Sequence, residues 1–334
     1  MNNYDEVIKN FNLWYHDLKD LHKFEQKRKE FLEYHSKNGV TRVQIEPTNR
    51  CNYNCIMCPI DELEKEKVKY DMSFDDFKII VDKLPSSVTN ICLSGLGEPF
   101  LNKDYIQMAK YAKEKGFYVE VYNNGSLFDS SIIPYIDEVN FSVDSPDDKL
   151  LLEIRKGVSI DKLFDNIKKA VKEKEKHYFH VNINFTANYK NYQNIRKLYD
   201  LANILKIDKL HIQATSNNYA IDSVKYQHFK EFVDKNNLID WEHIVNSYCK
   251  DDSFSLTIWY PRKMQGFCSW GFSNIYVTKN CDIIQCCQKV TKPLVFGNLK
   301  QSNFNDIYNS KEMCRFREKH IRQVNIPLCE ECPN

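Results

Sequence analysis

From residue 41 onward the chain alternates between strand-like and helix-like periodicity, and that rhythm limits the folds open to it. "RVQIEP", "NICLSG", "FYVEVYNNG", "EVNFSVDS", "FHVNINFT" and "DKLHIQATS" are short runs rich in β-branched and aromatic residues. Between the first two, "MSFDDFKIIVDKLP" sets Phe77, Ile80, Val81 and Leu84 on one helical face. It offers Ser73 as N-cap with Asp76 three residues on, and stops at Pro85. "KDYIQMAKYAKEKG" reads as a helix closed by Gly116. "IDKLFDNIKKAVKEKEK" and "YQNIRKLYDLANILK" keep the helical period, with a short helical piece at "SSIIPYI". Six strand–helix units up to about residue 216 predict a parallel sheet wrapped by helices, an α/β fold. Six units rather than eight predict a partial (β/α)6 TIM-like barrel, with a doubly wound sheet as the alternative.

The flanks differ from this core. Residues 1–38 predict a helical extension packed on the outside, with Phe11, Trp14, Leu18 and Leu21 at three- and four-residue steps. Residues 217–250 read as helical and complete a barrel domain over 39–250. From 251 to 334 turn signals multiply and cysteines return, which predicts a second, smaller domain. With 47 basic against 46 acidic residues the net charge is +1, so no nucleic-acid partner is expected. The N-terminus lacks a signal-peptide layout and no apolar run is long enough for a bilayer, so the expectation is a soluble cytoplasmic chain without membrane contact. Twelve cysteines in a reducing compartment point to metal or redox chemistry rather than cross-linking.

Three of the twelve lie together. "EPTNRCNYNCIMCPI" places Cys51, Cys55 and Cys58 in C-x3-C-x2-C spacing just after the first strand, at the sheet edge where such folds put their active sites. Zinc takes four ligands, and this loop offers three with no histidine close by. A [4Fe–4S] cube held by three thiolates keeps one iron open for an outside ligand. A chance cluster of buried cysteines is the remaining reading.

"CNYNCIMCP" resembles the signature of the radical S-adenosylmethionine (radical SAM) enzymes. The resemblance implies that SAM chelates the open iron through its amino and carboxylate groups and is cleaved to a 5′-deoxyadenosyl radical. It places Met57 near the adenine. "SGLGEP" resembles the family's GGE motif, which implies that Gly97 permits close backbone approach and Glu98 meets the SAM ammonium; Leu96 stands where a glycine is common. "FSVDS" puts Ser142 and Asp144 on one side by period two, where similar enzymes hold the SAM ribose or carboxylate. Arg155 of "EIRKG" resembles the family's carboxylate-binding arginine. Asn124 in "YNNGS" is a SAM neighbour or a turn residue. The structural alternatives are a strand-end serine and a surface Arg–Glu pair.

Near the C-terminus, Cys268, Cys281, Cys286, Cys287, Cys314, Cys329 and Cys332 allow a zinc or an iron–sulfur site from spacing alone. The arrangement resembles the auxiliary-cluster domains called SPASM and its shorter relative Twitch, in which one cysteine precedes a β-hairpin and a second follows it. Cys268 and Cys286 match that pair, "VFGNLKQSNFNDIYNSKEM" matches the connecting segment, and Cys329 and Cys332 supply the late C-x2-C. The sequence stops two residues later, so the Twitch arrangement is expected: one auxiliary [4Fe–4S] cluster with four protein ligands. Cys281 occupies a hairpin position usually held by glycine, either as a spare thiol or because the ligand set is shifted, and Cys287 is the alternative to Cys286. Cys92, Cys249 and Cys314 are read as packing residues.

The resemblance implies hydrogen-atom abstraction from a substrate. An auxiliary cluster suits a net two-electron oxidation, as in the similar 2-deoxy-scyllo-inosamine dehydrogenase, with a flavodoxin- or ferredoxin-type donor supplying electrons. Thirty-eight N-terminal residues are too few for the winged-helix module of many peptide maturases, so a sugar- or cyclitol-like metabolite is expected as substrate. A peptide- or sulfatase-maturase activity is the alternative. Tyr260, Arg262 and Lys263 in "TIWYPRKMQG" are possible substrate contacts or a solvated linker. The non-enzyme readings are an iron–sulfur electron carrier and a zinc-stabilised nucleic-acid binder.

Overall fold

The computed structural model describes residues 21–58, 60, 70–214, 255–259, 268–287, 290 and 293–322. Helix α1 (Leu21–Asn38) precedes the sheet and buries Phe31 and His35, whose rings lie 4.3 Å apart. His35 Nδ1 hydrogen-bonds the Gly39 carbonyl at 2.9 Å, so the helix end is tied to the turn that feeds the first strand. Phe11, Trp14, Leu18 and the 217–250 segment fall outside the described residues.

All six expected strands form: β1 (Arg42–Ile45), β3 (Asn90–Leu93), β4 (Tyr118–Asn123), β5 (Glu138–Ser142), β7 (His180–Ala187) and β8 (Lys209–Ala214). They pair in parallel in that order. The crossovers contain α2 (Phe74–Asp82), α3 (Tyr105–Glu114), a 3-10 turn (Ser130–Tyr135), α5 (Ile160–Glu173) and α6 (Ile195–Ile204). The Ser73 cap holds, its hydroxyl accepting from the Asp76 amide at 3.1 Å. Gly116 adopts φ +90 just past α3, a conformation that favours glycine.

Two elements were not legible. Helix α4 (Asp148–Ile154) is N-capped by Asp147, and it leads into a two-stranded ribbon of β2 (Asn54–Cys55) with β6 (Arg155–Lys156). The sheet also runs beyond the six strands at both edges. β9 (Ser255–Trp259) joins β8 in parallel, so the barrel sheet crosses the expected boundary at residue 250. At the opposite edge β10 (Asn274–Val277) pairs in parallel with β1 and continues as an antiparallel meander through β11 (Asp282–Ile284) and β12 (Val295–Asn298). The C-terminal hairpin is therefore hydrogen-bonded into the barrel's own sheet. Helices α7 (Phe304–Tyr308) and α8 (Lys311–Ile321) cover it through Phe304, Ile307, Met313 and Phe316. Lys83 at the end of α2 donates to the carbonyls of Leu299 and Ser302, and Lys300 pairs with Asp76 at 2.7 Å, which fixes the hairpin to the barrel's first helix.

One face of the sheet is apolar. Val43, Ile45, Ile91, Leu93, Val119, Val121, Val139, Phe141, Val181, Ile183, Leu210 and Ile212 share a core with the helices. The strands alternate, so the other face carries Gln44, Glu120, Tyr122, Asn140, Asn182, Asn184 and His211. Among the described residues no helix is long and apolar enough to cross a membrane.

Candidate active site

The chain leaves β1 and is held at once. Thr48 forms an isolated bridge with Asp71, and the Asp71 carboxylate takes a forked pair from Arg50, 2.9 Å to Nε and 2.6 Å to Nη2. Buried Asn102 donates to the Pro47 and Met72 carbonyls at 2.8 and 2.9 Å. The backbone approaching Cys51 is thus fixed before the cysteine loop begins.

Gly97 packs on that same backbone. A Cβ there would lie 2.5 Å from both the Arg50 and Thr48 carbonyl oxygens, far inside contact distance, so only glycine fits. The Glu98 amide donates to Arg50 O at 2.7 Å. The Glu98 side chain is 2% exposed; its Oε2 accepts from the Asn124 amide at 2.7 Å and its Oε1 from the Phe100 amide at 3.2 Å. Burial pushes its pKa up to about 7 despite these two donors and Arg155. Glu98 therefore clamps the loop after β3 to the loop after β4.

Asn124 continues the connection. Its Nδ2 donates to Asn52 Oδ1 at 2.8 Å and lies 4.0 Å from Cys51 Sγ, while its Oδ1 accepts from the Ser126 amide and hydroxyl. The Tyr53 amide is 3.5 Å from the same sulfur. Asn124 is thus both the turn residue and a neighbour of the loop.

The ribbon brings the other half of the site. Cys55 stands opposite Arg155 in register, and the Ile56 amide donates to the Ile154 carbonyl at 3.0 Å. Gly157, at φ +99, lets the chain turn back where a Cβ would meet the Asn52 carbonyl at 3.1 Å. Arg155 Nη1 lies 3.8 Å from Cys55 Sγ, and Arg155 Nε lies 2.7 Å from Asp144 Oδ2. Asp144 is fully buried beyond the end of β5, where its Oδ1 accepts from the Thr186 amide at 2.7 Å. Burial raises the Asp144 pKa against the pull of Arg155. Met57, 9% exposed, packs with Ile154. Ser142 ends β5 half-buried.

Six of the seven expected residues thus connect to the cysteine loop, directly or through one another, and Ser142 stands apart at the end of β5. Burial drives the Cys55 thiol up to about 11 and Cys58 to about 12, with Arg155 drawing both down. A coordinated metal displaces such protons outright. Three thiols, with N–H groups directed at two of the sulfurs, are a donor set that fits an iron–sulfur cluster. Among the described residues no set of three or more His, Cys, Asp and Glu side chains gathers around one point as a single ion requires.

In the C-terminal region Cys268 lies ahead of β10 and Cys286 two residues past β11, the expected order; Cys329 and Cys332 lie outside the described residues, as do Tyr260, Arg262 and Lys263. Cys281 is fully buried in the apolar core, close to Asp76, Lys300 and Lys83 on the α2 side. Cys281 packs within that core.

The sheet's polar face went unread as a feature, although strand alternation carried it. At its base Arg42 makes a forked pair with Glu120, and Lys209 approaches Glu138 at 4.0 Å. Asn140 donates to Glu138 at 3.0 Å, and Asn182 donates to Asn140 at 3.2 Å. Among the described residues nothing hydrogen-bonds the buried Asn182 Oδ1. His211 stands near Glu138, Lys209 and Glu120, its pKa lowered by burial.

A parallel barrel that carries three thiols at the C-terminal end of its first strand is the framework of an enzyme with an iron–sulfur cofactor at the barrel mouth. The Radical SAM superfamily model matches residues 45–202, and the SPASM model, an iron-sulfur cluster-binding domain, matches 268–333. The chain carries a radical SAM domain and a C-terminal SPASM domain, with SAM, a [4Fe–4S] cluster and an auxiliary iron–sulfur centre as its cofactors. It is 24% identical over 322 residues to a tungsten-containing aldehyde ferredoxin oxidoreductase cofactor-modifying protein of Pyrococcus furiosus, spanning 86% of each. It is 28% identical over 176 residues to an Fe-coproporphyrin III synthase of Methanosarcina barkeri, where the match spans 49% of this chain and only 41% of that protein. Among solved structures, SuiB of Streptococcus suis bound to precursor peptide SuiA superposes with TM-score 0.66 at 16% identity, over 89% of this chain and 72% of that one. The structure of anSMEcpe with bound AdoMet superposes with TM-score 0.57 at 16% identity, over 88% of each. These likenesses establish the fold.

Proposed function

We propose that the chain is a radical SAM oxidoreductase acting on a small polar metabolite, with Cys51, Cys55 and Cys58 as ligands of the SAM-binding cluster. When bound, the cluster and SAM supply a 5′-deoxyadenosyl radical that takes a hydrogen atom from the substrate. The protein's part is placement. Gly97 allows the loop after β3 to approach the cysteine backbone, and the Glu98 clamp and Asn124 hold the loops on which SAM would rest. Arg155 is ion-paired with Asp144 and directs an N–H toward Cys55; its Nη2 has no partner among the described residues and suits the SAM carboxylate. Ser142 stands on the same rim, and Met57 gives an apolar surface for the adenine.

Net dehydrogenation balances if the substrate loses a hydrogen atom to the deoxyadenosyl group, a proton to solvent or a side chain, and an electron to the auxiliary cluster. That cluster is assigned to Cys268, Cys286, Cys329 and Cys332 in the C-terminal region that the SPASM model matches, with a flavodoxin- or ferredoxin-type donor for the first cluster. The observation that carries the reading is the three-thiol loop seated at the barrel rim against Asn124 and Arg155. The small polar substrate is supported by the amide- and hydroxyl-bearing face inside the sheet. It is also supported by the relatives' names, which refer to a coproporphyrin, a nucleotide, GTP and a cofactor.

The test is anaerobic reconstitution with iron and sulfide, reduction, and addition of SAM. About eight irons per chain and release of 5′-deoxyadenosine are expected, as two cubane clusters require. Cys55→Ala should abolish the release; cleavage that survives it would remove the loop from the mechanism.

A further inference from the structure

Arg155 is buried, and it faces a cysteine sulfur and a carboxylate at once. Its Nη1 is 3.8 Å from Cys55 Sγ and its Nε is 2.7 Å from Asp144 Oδ2, and the backbone of the β2–β6 ribbon holds it opposite Cys55. Asp144 is itself fixed, with Oδ1 on the Thr186 amide and its carbonyl accepting from Asn191 Nδ2 at 2.9 Å. A cysteine sulfur, a guanidinium and a carboxylate thus stand in succession, the guanidinium and the carboxylate buried. Nothing in the recognition of SAM requires the arginine to reach a cysteine sulfur, so the contact has a consequence of its own.

We propose that the Arg155–Asp144 pair is a positioning device that sets the reduction potential of the cluster bound by Cys51, Cys55 and Cys58. The inference rests on the reading of those thiols as cluster ligands. One-electron reduction adds a negative charge that spreads over the ligating sulfurs. An N–H donor and a cation at Cys55 stabilise that reduced state, and hydrogen bonds to sulfur and local charge are recognised determinants of cluster potential. Asp144 acts oppositely: it orients the guanidinium and offsets part of its charge. The balance between the two fixes how readily the cluster accepts its electron. Only a buried pair can do this strongly, because exposed charges are screened.

The experiment is a mediator-poised redox titration of the full-length, reconstituted protein, followed by electron paramagnetic resonance without SAM. The relevant cluster is identified as the signal whose shape changes when SAM is added to a matched sample, which separates it from the auxiliary cluster. Arg155→Gln should shift the reduction equilibrium about tenfold toward the oxidised cluster, about 59 mV for one electron. Asp144→Asn, which keeps an oxygen for the Thr186 amide, should shift it in the opposite direction, and the auxiliary signal should stay where it is. If Arg155→Gln does not retain iron, Arg155→Lys carries the test, with a smaller shift of the same sign because the ammonium keeps the charge but not the fork.

A shift of one sign in both variants, or no shift in either, would overturn the proposal and leave the pair a purely structural contact. The opposite-signed response is what a packing role cannot produce. Wild-type protein with no SAM-sensitive signal would remove the underlying cluster assignment, an outcome separate from an unmoved potential in a protein that has the signal.

Discussion

Adding one methyl group at Gly97 should disable the site while leaving the barrel folded. The Cβ of Gly97→Ala would lie 2.5 Å from two backbone carbonyl oxygens, those of Thr48 and Arg50, on the segment that leads into Cys51. Neither oxygen can simply turn aside. Arg50 O accepts the Glu98 amide at 2.7 Å, and the Arg50 guanidinium is locked on Asp71. Relief to ordinary contact requires a displacement of roughly 1 Å, and overpacking of this kind costs about 1–3 kcal/mol. Whichever backbone yields, the loop after β3 and the segment leading into Cys51 lose their register. A misplacement of about 1 Å near reacting groups can cost about 100-fold in rate. The assay compares iron per chain, 5′-deoxyadenosine release and thermal unfolding with those of Gly116→Ala. At Gly116 a Cβ meets nothing within 4 Å, and the cost is only the φ +90 backbone, about 1 kcal/mol. Gly97→Ala should lose about 100-fold in SAM cleavage, while Gly116→Ala loses comparable or smaller stability with cleavage intact. If both variants cleave SAM alike, close packing of Gly97 on the cysteine backbone is not what positions the loop.

The Glu98 clamp predicts a pH dependence. Its folded pKa of about 7 stands above the ordinary 4.5, so the folded chain keeps a proton that the unfolded chain releases, and stability falls as pH rises through that window. The full effect is about 3 kcal/mol, and Glu98→Gln should remove that slope from urea unfolding curves of SAM-free protein; equal slopes in both proteins would contradict it. Cys281 carries a positive φ of 68 at the β10–β11 turn, a conformation that favours glycine. Cys281→Gly relieves about 1 kcal/mol of backbone strain and gives up about as much buried side chain. Its iron content should equal wild type and its stability should change by less than about 1 kcal/mol; lost iron would make Cys281 a ligand.

The alternation of strands and helices was enough to place six parallel strands, because each strand had to show apolar residues to covering helices and each helix a stripe to the sheet. The Ser73 cap and the Gly116 stop were equally plain, since each acts within one turn of chain. The cysteine spacing singled out its own chemistry for the same reason: the loop's residues are neighbours in sequence. Arg155 was nameable as a site residue, but its partnership with Cys55 was not. That contact spans one hundred positions and depends on a two-residue ribbon too short to leave a periodic trace. Glu98 presents the same limit. Its place beside glycines marked it for the site, yet its two carboxylate oxygens are taken by the Asn124 and Phe100 amides, donors that only folding delivers.

The sequence by itself determined the alternation of parallel strands and helices, the loop that carries the thiols and the order of the rim residues, all consequences of local period and spacing. Tertiary structure alone decided that the C-terminal hairpin joins the barrel's sheet beside β1. It also decided that Cys281 turns into the core and that Arg155 bridges Cys55 to Asp144. Edge pairing and buried charge contacts are settled by which surfaces remain once the core has closed, and nothing in the linear order of residues records that.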